Sequence, residues 1–197
     1  KDHQYRYHSN LGTFHAHRWI RSGADRSNLA DLKTAEAEIA EAIRINPDAH
    51  FGREKYQLAA IRWLIELPAV TRYEPPTFLR ALVQTSDGLK DPSFSPADAV
   101  KGLAGLIVMG DAWQSVDVHW ALGAALRGHY DSSIAYLARL RMQELISQGR
   151  KSFHPSFDPE RRVLQELGSG GSPYLDAVRD IDAYFTKARA AADTWQQ

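Results

Sequence analysis

The chain has 197 residues, of which 44% are apolar, and it carries 24 basic and 24 acidic side chains. This length and composition predict a single folded domain over residues 1–197, and the balanced charge argues against nucleic acid or an anionic membrane surface as a partner. The absence of cysteine excludes disulfides, thiolate metal sites and cysteine nucleophiles.

The longest apolar run, residues 103–110, is far shorter than the roughly 20 residues that cross a bilayer, so we expect no membrane insertion. A chain of this length without any free thiol is easier to reconcile with export. We therefore expect an exported or periplasmic location if an upstream leader has been removed, and a cytoplasmic location otherwise.

Almost every segment has the period of an amphipathic helix, which predicts an all-α fold. In the second helix, Leu32, Ala35 and Ile39 recur at steps of three and four, and Asn28 is placed to cap it. Ser95 followed by Pro96 predicts another helix start. The predicted helices cover residues 5–20, 29–45, 52–67, 77–83, a segment from Pro96 through 103–110, 116–127, 132–148, 159–167 and 173–196.

Two parts of the chain, residues 5–47 and 116–148, resemble the 34-residue tetratricopeptide repeat, in which small and bulky residues alternate along a helical hairpin that a proline closes. About eleven extra residues separate Gly12 from Ala35 relative to that pattern. The matching residues are His8, Leu11, Gly12, His15, Ala35, Ile39, Ala42 and Pro47 in the first part, and His119, Leu122, Gly123, Leu126, Tyr130, Ser133 and Leu137 in the second.

The resemblance implies antiparallel helical hairpins stacked into a right-handed superhelix, or solenoid, of about eight to nine helices. It also implies that the first helix of each pair lines a concave groove for a protein or peptide. The resemblance assigns eleven residues to this groove, in three groups along the chain: Arg6, Ser9, Asn10, Thr13 and His17; Glu54, Lys55 and Arg62; and Asp117, Trp120 and Arg127.

Most of the five tryptophans are expected to pack in the core, with Trp120 as the exposed exception. Arginines suit carboxylates, so the expected partner is an acidic segment or a C-terminal tail with a bulky side chain, anchored on Trp120. A structural role in a larger assembly, for example in the cell envelope, is the alternative.

Histidines crowd the N-terminal helix, which makes a metal site conceivable: His3, His8, His15 and His17. His15 and His17 point about 200° apart on a helix, and His8 and His15 occupy packing positions of the repeat, so we expect no metal. The glycine-rich stretch 168–172 lacks the features of a phosphate-binding loop and is predicted to be a flexible turn. With no catalytic motif, we expect a non-enzymatic protein without a cofactor, and a helical metal protein or hydrolase is the least favoured alternative.

Overall fold

The structure is a computed structural model that describes residues 2–68, 77–83, 94–129, 132–155, 157–158 and 175–196. All the regular elements within these ranges are helical, which confirms the all-α class. The α-helices are α1 (Asp2–Arg21), α2 (Ala30–Ile45), α3 (Arg53–Glu66), α4 (Arg80–Val83), α5 (Pro96–Met109), α6 (Val116–His129), α7 (Ser132–Ser147) and α8 (Leu175–Gln196).

The helices pack mainly against their neighbours along the chain. Contacts join α1 to α2, α2 to α3, α3 to α5, α5 to α6, α6 to α7 and α7 to α8. In the first pair, Tyr5 clusters with Ala42 and Ile45, while the indole nitrogen of Trp19 donates to the carbonyl of Asn28 at 3.1 Å. The beginning of α1 therefore lies beside the end of α2, and the two helices are antiparallel.

Close approach of α1 and α2 depends on Gly12. An added Cβ at this position would lie 2.7 Å from Cγ1 and 2.8 Å from Cδ1 of Ile39, both far inside van der Waals contact. Ile39 is fully buried, as are Leu32, Ala35 and Ala42 on the same face of α2. The predicted packing face of α2 is therefore confirmed, and glycine is required where α1 crosses it.

Helix starts follow the sequence signals closely. The Oγ atom of Ser95 accepts a hydrogen bond from the amide of Asp98 at 3.2 Å, and Pro96 occupies the first position of α5, as predicted. The prediction that Asn28 caps α2 is wrong: the N-cap is Leu29, without a side-chain cap hydrogen bond, and Asn28 Oδ1 instead accepts from the amide of Ala30 at 3.2 Å. The helix predicted over 77–83 begins later than expected, at Arg80.

A left-handed turn joins α2 to α3. Residues Ala49–Gly52 form a 3-10 turn in which His50, Phe51 and Gly52 have φ values of 47°, 62° and 70°. Positive φ is costly for a histidine and a phenylalanine, so other contacts must hold this turn. After this turn α3 begins at Arg53 and packs against α2.

Two apolar clusters form most of the described core. The larger one joins α1, α2, α3, α5 and α6, and includes Trp19 and Trp63. The smaller one lies between α6, α7 and the segment after α7, and consists of Val116, Trp120, Met142, Leu145 and Phe157. Trp19, Trp63 and Trp120 are buried, whereas Trp113 is 41% exposed.

Several predictions concern parts of the chain outside the described residues. They are the helix over 159–167, the flexible turn over 168–172, and Tyr130 of the second repeat match. The number of eight to nine helices stays a prediction for the same reason.

Candidate ligand-binding pocket

A concave pocket of about 220 Å³ lies between α1, α3, the segment that joins α5 to α6, and residues 150–153. This volume is below the roughly 300–1,000 Å³ of sites for drug-sized ligands, so it suits one large side chain or a group of similar size. We call it the central pocket and define it by one or two residues from each bordering element: His17, Gln57, Trp63, Leu106, Asp117 and Arg150.

Apolar side chains form most of the pocket wall. On α3, the apolar Ala60, Ile61 and Leu64 lie along one face of the helix, together with the polar Gln57. Helix α1 and the other bordering elements complete the wall with Ala16, Phe78, Leu106, Val118 and Phe153. The interior therefore favours a hydrocarbon or aromatic group.

Polar and charged side chains lie around this apolar wall. Nε2 of His17 is 3.3 Å from the carbonyl oxygen of Gly110, and the guanidinium of Arg21 reaches Asp111 only at 4.0 Å. Arg150 is exposed, and its guanidinium makes no ion pair with any residue of the described ranges. The pocket border thus carries cationic groups that are weakly paired or unpaired, a setting that attracts carboxylates.

A buried carboxylate positions the segment that carries Arg150. Asp117 is 7% exposed, and it accepts hydrogen bonds from Ser152 Oγ at 2.6 Å and from the amide of Phe153 at 2.9 Å. Burial raises the pKa of Asp117, although these two hydrogen bonds act against the shift. His154 is buried next to it, with Nε2 2.9 Å from the carbonyl of Pro68.

A second polar cluster lies beneath the left-handed turn, around the buried carboxylate of Glu54. Its Oε1 atom accepts from Tyr5 at 2.7 Å, from Ser9 at 3.1 Å and from Arg53 Nη2 at 2.6 Å. Nδ1 of His50 lies 3.2 Å from the same oxygen and 2.7 Å from the Tyr5 hydroxyl. These contacts tie α1 to the strained turn and to α3.

The charges in this cluster have opposite effects on its acids. Burial alone would raise the pKa of Glu54, but the hydrogen bond from Tyr5 and the charge of Arg53 outweigh it and lower that pKa. Burial and the bond to Glu54 raise the pKa of Tyr5. The cluster is therefore an ionised carboxylate neutralised by a buried arginine. None of its members lines the central pocket, which indicates a structural role.

Another cavity, of about 600 Å³, opens between α2 and α3. We call it the side pocket, defined by Ile43, Lys55, Leu58, Arg62, Thr77 and Leu82. Its cation Arg62 pairs with Glu36 of α2, at 2.8 Å from Nε to Oε1. Lys55, on the same pocket, is exposed and makes no ion pair within the described ranges.

The eleven predicted groove residues do not share one surface. His17 and Asp117 line the central pocket, whereas Lys55 and Arg62 line the side pocket. Arg6 and Arg127 are exposed but line neither pocket; Arg6 pairs with Asp2 at 3.0 Å. The alignment of Arg6, Arg62 and Arg127 along one groove is therefore not observed.

Burial corrects four of those assignments. Ser9, Glu54 and Asp117 are buried with their side chains engaged in internal hydrogen bonds. Trp120 is only 4% exposed and packs on Phe157, with a ring-centroid distance of 5.4 Å. The expectation that Trp120 anchors a ligand is wrong, because its indole fills the space between α6 and α7.

The other two predicted positions lie on α1. Thr13 is partly buried and donates to the carbonyl of Ser9 at 2.8 Å, while its hydroxyl accepts from Gln57 at 2.9 Å. Asn10 is exposed and lines neither pocket.

Two of the N-terminal histidines, His8 and His15, have carboxylate partners. Nδ1 of His8 is 2.6 Å from Oε2 of Glu38, and Nδ1 of His15 is 2.8 Å from Oδ1 of Asp31. Hydrogen bonds from Arg18 and His15 lower the pKa of Asp31 to about 2. Among the residues the structure describes, no group of three or more histidines and acids is arranged to hold a metal ion.

The sequence did not predict the pocket residues that lie far from α1 and α3 along the chain. Phe153 and Arg150 follow α7 and reach a wall built by α1 and α3, far away along the chain. The available signal was Gly149, whose φ of 83° ends α7 and directs residues 150–154 back across the fold. The buried Asp117 then fixes that segment.

No protein-family model, curated protein or solved structure matches this chain. Across the described ranges, no helix combines the length and apolar character that crossing a membrane would need.

Proposed function

We propose that the protein is a non-enzymatic binding module that holds a protein or peptide segment, with one bulky side chain of the partner inserted into the central pocket. The observation that carries the proposal is the combination of an apolar wall sized for one side chain with Arg150, an exposed cation that has no ion partner in the described part of the chain. A bulky terminal residue would fill the wall, and its α-carboxylate would face the cation.

The arrangement favours binding over catalysis. Two acids line the pocket. Asp117 uses both oxygens to hold Ser152 and Phe153, so it positions the segment, and Asp111 accepts from Nε1 of Trp113 at 2.7 Å. Ser115, another lining residue, accepts from the amide of Val118 at 3.2 Å and so supports the start of α6. A hydrolase would instead need a nucleophile within hydrogen-bond reach of a base.

The proposal includes a tetratricopeptide-like stack of hairpins as the scaffold. Support comes from the consecutive packing of the helices and from the antiparallel pair α1 and α2, with Gly12 at their crossing. In this arrangement α1 and α3, the first helices of successive hairpins, contribute neighbouring walls of the central pocket.

The test uses acetylated peptides that end in leucine or phenylalanine, each made with a free carboxylate and as an amide. We expect binding of micromolar order, with the free carboxylate preferred by up to about fivefold, because an exposed charge pair contributes about 0–1 kcal/mol. Fluorescence polarisation at low salt measures the affinities.

The preference for the carboxylate should vanish in Arg150→Ala and persist in Arg44→Ala. Arg44 is a matched control, because it is an exposed arginine on α2 that pairs with Glu41 and lines neither pocket. If neither peptide series binds, or if Arg150→Ala retains the full preference, the proposed function fails.

A further inference from the structure

The side pocket differs from the central pocket in the size of the group it can hold. Its volume of about 600 Å³ lies within the roughly 300–1,000 Å³ of sites for drug-sized ligands, whereas the central pocket has only about 220 Å³. The side pocket therefore has room for a whole small molecule.

Apolar side chains from three helices line the side pocket. Ile43 of α2, Leu58 of α3 and Leu82 of α4 are only partly buried, so each keeps some apolar surface in contact with water. Ala59 and Phe78, which also line the pocket, are buried members of the larger core cluster. Because removal of apolar surface from water is favourable, this wall favours a ligand with an apolar body.

The charged residues on the side pocket are mainly cationic. Lys55, Arg62 and Arg80 line it, and Glu66 is the one acid among its described lining residues. Lys55 is exposed without an ion pair in the described ranges, and its flexible chain lets the ammonium group move over the opening. Arg62 lies about two turns further along the same face of α3, with Leu58 between them. The charges therefore favour an anionic group on the ligand.

The ion pair of Arg62 leaves part of its guanidinium available. Glu36 accepts only from Nε of Arg62, and neither Nη atom makes a hydrogen bond within the described part of the chain. The two side chains are 51% and 33% exposed, so water and salt screen their attraction. A ligand carboxylate can therefore approach the Nη atoms, and the negative charge of Glu36 acts against it.

We propose that the side pocket binds a small organic acid, with a broad apolar body against Ile43, Leu58 and Leu82 and a carboxylate at Lys55 and Arg62. The pocket volume and the partly buried wall select the apolar body, and the unpaired ammonium of Lys55 selects the charge. This ligand is additional to the partner proposed for the central pocket, and neither proposal depends on the other.

A matched pair of fluorescent probes separates the carboxylate from apolar filling. Pyrenebutyrate and pyrenebutanol share a body of fused rings that is broader than any amino-acid side chain, and only pyrenebutyrate carries a carboxylate. Fluorescence titrations at low salt measure both affinities. We expect saturable binding of pyrenebutyrate to the wild type, with an affinity about fivefold higher than that of pyrenebutanol.

This preference for the carboxylate should fall about twofold or more in Lys55→Ala and rise about twofold in Glu36→Gln, which removes the opposing charge. A gain of affinity in Glu36→Gln cannot result from a loss of folded protein. The matched controls are Arg44→Ala and Glu41→Gln, the two members of an exposed ion pair on α2 that lines neither pocket, and both should leave the preference unchanged.

Three results would overturn the inference. The first is that pyrenebutyrate does not bind saturably to the wild type. The second is that Lys55→Ala or Glu36→Gln keeps the wild-type preference. The third is that Arg150→Ala abolishes the preference, which would place the probe at the central pocket. Terminal peptides that fail to bind while these probes behave as expected would reject the proposed function alone.

Discussion

Replacing Gly12 with alanine should destabilise the protein, although alanine is the better helix former. The new Cβ would lie 2.7 Å and 2.8 Å from Cγ1 and Cδ1 of Ile39, and 3.1 Å from the Ile39 backbone nitrogen. Ile39 is fully buried and β-branched, so its side chain has little freedom to move, and α1 must shift away from α2. Overpacking of this kind costs about 1–3 kcal/mol, which exceeds the gain in helix propensity of about 1 kcal/mol.

Gly123→Ala is the matched comparison. Its new Cβ would meet the carbonyl oxygen of Ala135 at 3.7 Å and Cβ of Ala138 at 3.8 Å, which is ordinary contact. The propensity gain should then dominate and stabilise α6 by about 0.5–1 kcal/mol. Urea denaturation should give a net decrease of up to about 2 kcal/mol for Gly12→Ala and an increase for Gly123→Ala. An equal or greater unfolding free energy in Gly12→Ala would refute the close approach of α1 and α2.

Three further predictions concern buried charge and metal. Glu54→Gln should lower the unfolding free energy at neutral pH by about 3 kcal/mol or more, since it leaves Arg53 buried without a counter-charge. The pKa of Glu54 is lowered from an ordinary 4.5, so its contribution is present above that pH and is lost as pH falls through the folded pKa. The unfolding free energies of wild type and Glu54→Gln should therefore converge as pH falls. A difference between them that stays constant below pH 4 would contradict this. Burial lowers the pKa of His119 to about 4, so its NMR signals should not titrate between about pH 5 and 7.5. The unfolded state then binds the proton first, and stability should decrease as pH falls from 6.5 towards 4, whereas a titration midpoint near 6.5 would refute the burial. Zinc should neither bind nor raise the melting temperature, and a stoichiometric heat that disappears in His8→Ala or His15→Ala would reverse this conclusion.

Local signals were enough to predict most of the helical structure. The cap Ser95, the spacing of Leu32 and Ile39, and Gly12 at the helix crossing each depend on residues close in sequence or on a simple period. Such features are fixed by backbone geometry and by the face a helix buries. The left-handed conformation of His50 has no such signal, because the contacts to its ring come from Tyr5 of α1 and Glu54 of α3.

The candidate site was harder to predict, since it depends on where distant segments meet. His17 was nominated from the repeat pattern and does line the central pocket, but Trp120 was nominated by the same reasoning and is buried. The position of a residue within a repeat determines the side of the helix on which its side chain lies. It does not reveal whether a distant segment, here the one after α7, packs over that side. Phe157 covers Trp120 in this way, and Arg150 and Phe153 reach the central pocket in the same segment.

The most direct test of the binding proposal is an NMR map of a peptide that ends in phenylalanine with a free carboxylate, titrated into 15N-labelled protein. We expect the largest shifts on His17, Gln57, Arg150 and Phe153, which come from three separate parts of the chain and meet at the central pocket. Shifts centred on Lys55 and Arg62 in the side pocket, or no saturable shifts at millimolar peptide, would contradict it.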